Sequence, residues 1–269
     1  MIDQIRQPVF LKLGGSLITN KAQPHTPRLD ILARLAAEIA QARQEDPELR
    51  LLLGHGSGSF GHVPARKYAT RSGVHTSQEW AGFVEVWREA WELNRLVMQA
   101  LEQAGLPAIA LSPLSAVVSS AGRVVEWNLE PIHKALQVGL LPVVYGDVIF
   151  DRQWGGTILS TEDLFDHLAV ALKPAMILLA GLEPGVWADY PACTQLAPRI
   201  TPANWLEFQS NLGGSTATDV TGGMLSKVQT SLDLIEKVDG LQIHIFSGEA
   251  EGAIYRALTG KPDGTLIGR

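Results

Sequence analysis

One cysteine, Cys193, stands in 269 residues, so no internal disulfide can staple the chain and a reducing compartment is expected. Basic residues are also in short supply. The 22 Lys and Arg face 28 Asp and Glu, and the resulting net charge of −6 gives no support for nucleic-acid binding. No apolar run reaches the ~18 residues of a membrane span. The opening MIDQIRQPVFLKLGG, with a charge at Asp3, does not have the pattern of a signal peptide. No P-loop G-x-x-x-x-G-K-[ST] occurs, and no metal-ligand cluster stands out. What is there is a chain 46% hydrophobic and 19% charged, which suits a cytoplasmic globular protein with a substantial core and no membrane or nucleic-acid partner.

Short apolar runs alternate with longer amphipathic segments. PVFLKLGGS, LRLLLGHG, PAIALSP, LLPVVYGDVIFD, AMILLAGL and LQIHIFSG read as strands. RLDILARLAAEIAQARQ, the long SQEWAGFVEVWREAWELNRLVMQALEQAG, EPIHKALQVG, TEDLFDHLAVALKP, GGMLSKVQTSLDLIEKV and EGAIYRALTG read as helices. Strands separated by helices predict an α/β protein with a mostly parallel sheet covered on both faces. Ligands of such sheets bind at the carboxyl ends of strands, where the glycine turns of this chain fall.

One of those turns, GSGSFG within GHGSGSFGH, satisfies G-x-G-x-x-G. A dinucleotide site would also need an acidic residue about 20 positions on, at the end of the next strand. Glu79 instead begins a helical pattern, and Gly61 runs into HVPARKY with Pro64 in the way of a helix. The loop is better read as holding the phosphate of a small acceptor, with backbone donors at Gly56, Ser57 and Gly58 and with His62 at its end. KLGGS sets Lys12 on a strand and Gly14, Gly15 and Ser16 in its turn. YGDVIFD ends a strand in Gly146 and Asp147, and DVTGGMLSK opens a helix with Gly222 and Gly223 and carries Lys227. Lys21 follows in a loop. Each alone has an ordinary reading as a turn or a solvated side chain. Together they supply the positioned cations and N–H donors that phosphoryl transfer needs.

The order KLGGS, glycine loop, YGDV, DVTGGMLSK resembles the amino acid kinase superfamily. The form GSGSFGH, with ILSTED and GTLIG, is similar to isopentenyl phosphate kinases. The resemblance implies a three-layer αβα sandwich, usually a homodimer, that uses ATP and Mg²⁺ to phosphorylate a terminal phosphate. It implies one domain over residues 1–269, the part to about 150 binding the acceptor and the part from about 151 the nucleotide. Lys12, Gly14, Gly15 and Ser16 then match residues that hold ATP phosphates. Lys21 matches a lysine that stabilises the transition state, and Asp147 an aspartate that orients the lysines. Ser57 and Gly58 lie where the two phosphates meet, with Gly56 on the substrate side. His62, Gly155, Gly156 and Thr157 lie at the acceptor phosphate, and Gly223 and Lys227 at the nucleotide. Two departures stand out: Ser57 replaces a glycine of the usual loop, and EPGVW, with Pro184 and Trp187, replaces the usual nucleotide-side segment. A kinase for another small phosphate or phosphonate such as fosfomycin, or a nucleotide sensor, remains open. An isoprenoid tail would need an apolar pocket, and Phe83 and Val84 are candidates. Trp80, Val84, Trp87 and Trp91 share one helical face, expected as core at least from Trp91 onward.

Overall fold

The computed structural model describes residues 6–212 and 223–269, with the side chain of His62 outside the described part. Its strands are β1 (Val9–Leu13), β2 (Leu51–His55), β3 (Ala108–Ala110), β4 (Val117–Ser120), β5 (Arg123–Trp127), β6 (Leu141–Tyr145), β7 (Asp147–Asp151), β8 (Gly155–Leu159), β9 (Met176–Gly181), β10 (Arg199–Ile200), β11 (Gln242–Ser247) and β12 (Thr265–Ile267). Its helices are α1 (Gly15–Ile18), α2 (Leu29–Glu45), α3 (Gly58–Lys67), α4 (Ser77–Gln103), α5 (Pro113–Ala116), α6 (Glu130–Gln137), α7 (Thr161–Leu172), α8 (Trp205–Leu212), α9 (Gly223–Lys237) and α10 (Ala253–Leu258).

Eight strands form the main sheet in the order β10-β12-β11-β9-β1-β2-β6-β3, parallel except where β11 meets β12. The strands alternate apolar residues between its two faces. Leu11, Leu13, Leu51 and Leu53 pack on Leu35 and Ile39 of α2, Val97 and Leu101 of α4 and Ile254 of α10. Phe10 and Leu52 point the other way, onto Ile132 of α6, Phe165 and Leu168 of α7, and Leu232 and Ile235 of α9. Burial of both faces makes this a three-layer αβα sandwich.

A second sheet, β5-β4-β7-β8, adjoins it. LLPVVYGDVIFD is therefore two strands in two sheets, not one. The chain changes sheet at Gly146, whose N–H reaches the His55 carbonyl at 3.4 Å. A Cβ there would meet the Thr161 nitrogen at 3.3 Å, so glycine suits the crossing. The 27-residue α4 serves both sheets. It opens on a capping box between Thr76 and Glu79. Its first half packs Phe83 and Val86 on Val148 of β7, and its second half covers the main sheet.

Two expectations need correcting here. Pro64 does not prevent a helix, because α3 runs through it and the Tyr68 N–H bonds the Pro64 carbonyl at 3.0 Å. Packing outweighs the lost donor. A Cβ on Gly82 would lie 2.2 Å from the Tyr68 ring, so α3 and α4 are in close contact. Trp91 is not core either, while Trp80 and Trp87 are half-buried against the Phe83 and Val86 cluster. Val84 is 42% and Trp91 50% exposed, and the buried face is Gly82, Phe83, Val86, Ala90, Leu93, Asn94, Val97 and Leu101.

Candidate active site

A cavity of about 550 Å³ opens at the carboxyl ends of β1, β2, β6, β9 and β11. It gathers Lys12, Gly14, Gly15, Ser16, Lys21, Gly56, Ser57, Gly58, Asp147, Gly223 and Lys227 from segments far apart in the chain. The residues 219–222 that precede Gly223 lie outside the described residues, as does the His62 side chain on α3.

The two glycine turns touch. A Cβ on Gly15 would stand 2.3 Å from the Gly58 nitrogen, and one on Gly56 would stand 2.9 Å from the Gly15 nitrogen. Neither turn tolerates a side chain there. Gly58 also takes a positive φ of 50°. Not every N–H in the turns is available to a ligand. Gly14 donates to the Ala180 carbonyl at 2.8 Å and Gly56 to the Leu13 carbonyl at 3.0 Å. Ser57 and Gly58 sit at the first turn of α3, where helix geometry leaves N–H groups without intrahelical acceptors and favours an anion.

The cations have a shared carboxylate. Lys12 Nζ lies 2.7 Å from Glu162 Oε1, and Lys227 Nζ lies 3.8 Å from the same oxygen. Glu162 stands in the first turn of α7, which is held by a capping box between Ser160 and Asp163. The sequence suggested Asp147 for the part of orienting lysines. In the structure, Asp147 Oδ1 accepts the Val148 N–H at 2.8 Å and Oδ2 is buried without a hydrogen-bond partner among the described residues. Burial pushes the Asp147 carboxyl up to about 7, against the pull of the Val148 hydrogen bond. Arg71 also lines the cavity and pairs with Asp163 at 3.0 Å. Neither Glu162 nor Arg71 was singled out from sequence. STED reads as a helix start, and a lone arginine in YATRSGVH carries no motif.

The other candidates lie outside the cavity wall. Gly155 and Gly156 press against Val74 and Phe83, while Thr157 donates to the Arg71 carbonyl at 2.9 Å. Phe83 meets Trp80 edge-on and Phe150 at a tilt behind the wall, and Val84 faces outward. The apolar wall is instead Ala65 of α3, Val86 and Ala90 of α4 and Ile158 of β8. At the opposite end Leu182, Glu183, Trp187, Tyr190 and Cys193 line the cavity. Trp187 Nε1 donates to Glu183 at 2.9 Å, so Pro184 sits in a segment anchored by its neighbours.

Residues 7–247 match the amino acid kinase family. The isopentenyl phosphate kinase of Methanocaldococcus jannaschii is 34% identical over 265 residues, covering 96% of this chain and 97% of that one. That of Haloferax volcanii is 35% identical over 259 residues, covering 96% and 98%. A crystal structure of an isopentenyl phosphate kinase superposes with a TM-score of 0.80 at 31% identity, covering 96% of this chain and 99% of that one.

Proposed function

The chain belongs to the amino acid kinase family, and from that premise we infer that it transfers the γ-phosphoryl group of ATP to isopentenyl phosphate, giving isopentenyl diphosphate and ADP. The observation that carries this reading is one cavity with two characters. Lys12, Lys21, Lys227 and the two touching glycine turns lie on its polar side, and Ala65, Val86, Ala90 and Ile158 form an apolar wall. A small phosphonate such as fosfomycin has no chain to fill that wall, and a nucleotide sensor has no use for it.

An oxygen of the acceptor phosphate bonds to the γ-phosphorus as the bond to the β–γ bridging oxygen breaks. Little covalent chemistry falls to the protein, so charge and alignment dominate. Lys12 and Lys227, held by Glu162, bind the nucleotide phosphates with the turn Gly14–Ser16 and Gly223. Lys21 stabilises the charge on the group in transfer. The Ser57 and Gly58 N–H groups and His62 hold the acceptor phosphate. Gly155, Gly156 and Thr157 support the acceptor side from behind, as Phe83 does for the apolar wall. The part of the chain up to about residue 150 thus supplies the acceptor's Ser57, Gly58 and His62 and also Lys12 and Gly14–Ser16 for the nucleotide, to which the part beyond it adds Gly223 and Lys227.

Among the described residues no three His, Cys, Asp or Glu converge as a metal cage. The donor set still fits Mg²⁺ carried on the nucleotide, since this ion takes one or two carboxylates and completes its shell with phosphates and water. Asp147, with a buried oxygen in the cavity wall that has no partner among the described residues, would serve it. Bound there, the ion neutralises phosphate charge.

Exposed Val84 and Trp91 on α4, with exposed Phe150 beside Trp80, support a homodimer through α4. Light scattering of Trp91→Glu should then give half the native mass. With one cysteine and an ATP substrate, the enzyme is assigned to the cytoplasm. His62→Ala tests the acceptor site. A loss of roughly ten- to a hundredfold in kcat/KM for isopentenyl phosphate, with ATP binding kept, is expected. Normal turnover would remove His62 from the site.

A further inference from the structure

We propose that Thr19 and Ser59 are positioning residues that hold the nucleotide-side turn, the acceptor-side loop and the Lys21 hairpin in one register. The inference rests on the kinase reading above. Thr19 is 1% and Ser59 5% exposed, so neither reaches a ligand from the solvent side, and neither lines the cavity.

The Thr19 hydroxyl joins the two glycine turns. It donates to the Gly15 carbonyl at 2.7 Å and accepts the Ser59 N–H at 2.9 Å. It also closes over Gly58, where a Cβ would lie 2.0 Å from Thr19 Oγ1. Ser59 then reaches the hairpin that carries Lys21. Its side-chain oxygen accepts the Thr26 N–H at 3.2 Å, and its carbonyl accepts the His25 N–H at 3.4 Å. The hairpin is closed by the Asn20 N–H to the Thr26 carbonyl at 2.8 Å and by the bridge between Thr19 and Pro27. Lys21 therefore hangs from a frame whose two ends are tied to the glycine turns. This answers what the second serine of GSGSFG does. It does not face the phosphate; it fixes where the lysine meets it.

In-line transfer depends on the separation and angle of two phosphates that each turn binds by itself. An error of about 1 Å can cost about a hundredfold in rate without weakening either binding step. Removing the Thr19 hydroxyl should act on kcat and leave the two KM values nearly alone.

The test compares Thr19→Val, Thr19→Ser and wild type with ATP and isopentenyl phosphate, well below the melting temperature of each. Thr19→Val is expected to lose tenfold to a hundredfold in kcat, with both KM values within about threefold, and Thr19→Ser to restore kcat to within about threefold. An unchanged kcat in Thr19→Val, a rise confined to KM, or a loss that Thr19→Ser does not restore overturns the proposal. Should Thr19→Val not fold, Ser59→Ala decides. It is expected to lower kcat about tenfold in the native background and to add nothing in a Lys21→Ala background, because it acts through Lys21. Additive losses overturn the proposal. A wild type that turns over no isopentenyl phosphate would instead sink the kinase reading, so the two failures are distinct.

Discussion

Strand β7 begins and ends in aspartate, and the two ends are built in opposite ways. Asp151 takes hydrogen bonds from the Ser119 hydroxyl and from the N–H groups of Ala121, Gly122, Gln153 and Trp154, at 2.7 to 3.0 Å. Burial pushes its carboxyl up, yet those donors outweigh it and bring the group down to about 2. Among the described residues Asp147 has one donor, the adjacent Val148 N–H, and its other oxygen is buried without a partner. Burial wins there and the group sits at about 7. A saturated carboxylate closes a turn. An unsaturated one at a cavity wall is costly to the fold, and that cost marks it as a candidate ligand-binding group.

Substitution at the cavity end should have the largest effect. Asp147→Asn is expected to lower kcat by about a hundredfold or more, on the scale of other losses of transition-state electrostatics. It should also stabilise the free protein. Because the folded state holds its proton up to about pH 7 and the unfolded chain only to about 3.8, native stability falls as pH rises between those values. The variant's gain should therefore be larger at pH 8 than at pH 5, and at most about 4 kcal/mol. Melting temperatures at the two pH values check this, and a destabilised Asp147→Asn at pH 8 would contradict it.

At the other end the signs reverse. Asp151→Asn should cost about 2 kcal/mol near neutral pH, with kcat unchanged. The native contribution is present above the unfolded value of about 3.8 and fades as pH falls toward 2. Denaturant unfolding at pH 7 and pH 3 measures it. A cost that does not shrink at pH 3 would mean the turn is held by something other than the carboxylate.

The smallest expected effect lies on the apolar wall, where Val86 packs on Val148, the residue after Asp147. Val86→Ala removes apolar bulk from the lining, and each substrate methylene accommodated is worth about 0.8 kcal/mol, or roughly fourfold. The ratio of kcat/KM for geranyl over isopentenyl phosphate should rise by about that factor. Val84→Ala, on the outward face, should leave the ratio alone. Equal shifts in both would put the tail elsewhere.

Much of this was legible in the sequence. The long apolar strands and the periodic helices announce themselves, and glycine turns at strand ends point to the cavity. The second sheet was not legible, because VVSS, RVVEW and GGTIL are short and mostly polar-edged. The change of sheet at Gly146 hides inside a continuous apolar run. On α4, tryptophans at helical spacing define a face but not its direction, and only packing shows that Val86 and Ala90 turn inward. The pairing of Lys12 with Glu162 joins residues 150 positions apart, so no local pattern could reveal it. The sequence marks Asp147 as a strand-end aspartate, but that its Oδ2 lacks a partner among the described residues is a fact of three dimensions.

The central claim is that one cavity brings a nucleotide and an isoprenoid phosphate together for direct transfer. Phosphorus NMR of the purified protein with ATP, Mg²⁺ and isopentenyl phosphate tests it most directly, with fosfomycin in a parallel tube. The expected result is loss of the monophosphate signal and growth of the two coupled signals of isopentenyl diphosphate, matched by ADP, with fosfomycin untouched. An unchanged isopentenyl phosphate signal beside a phosphorylated fosfomycin, or no transfer to either, would contradict the account.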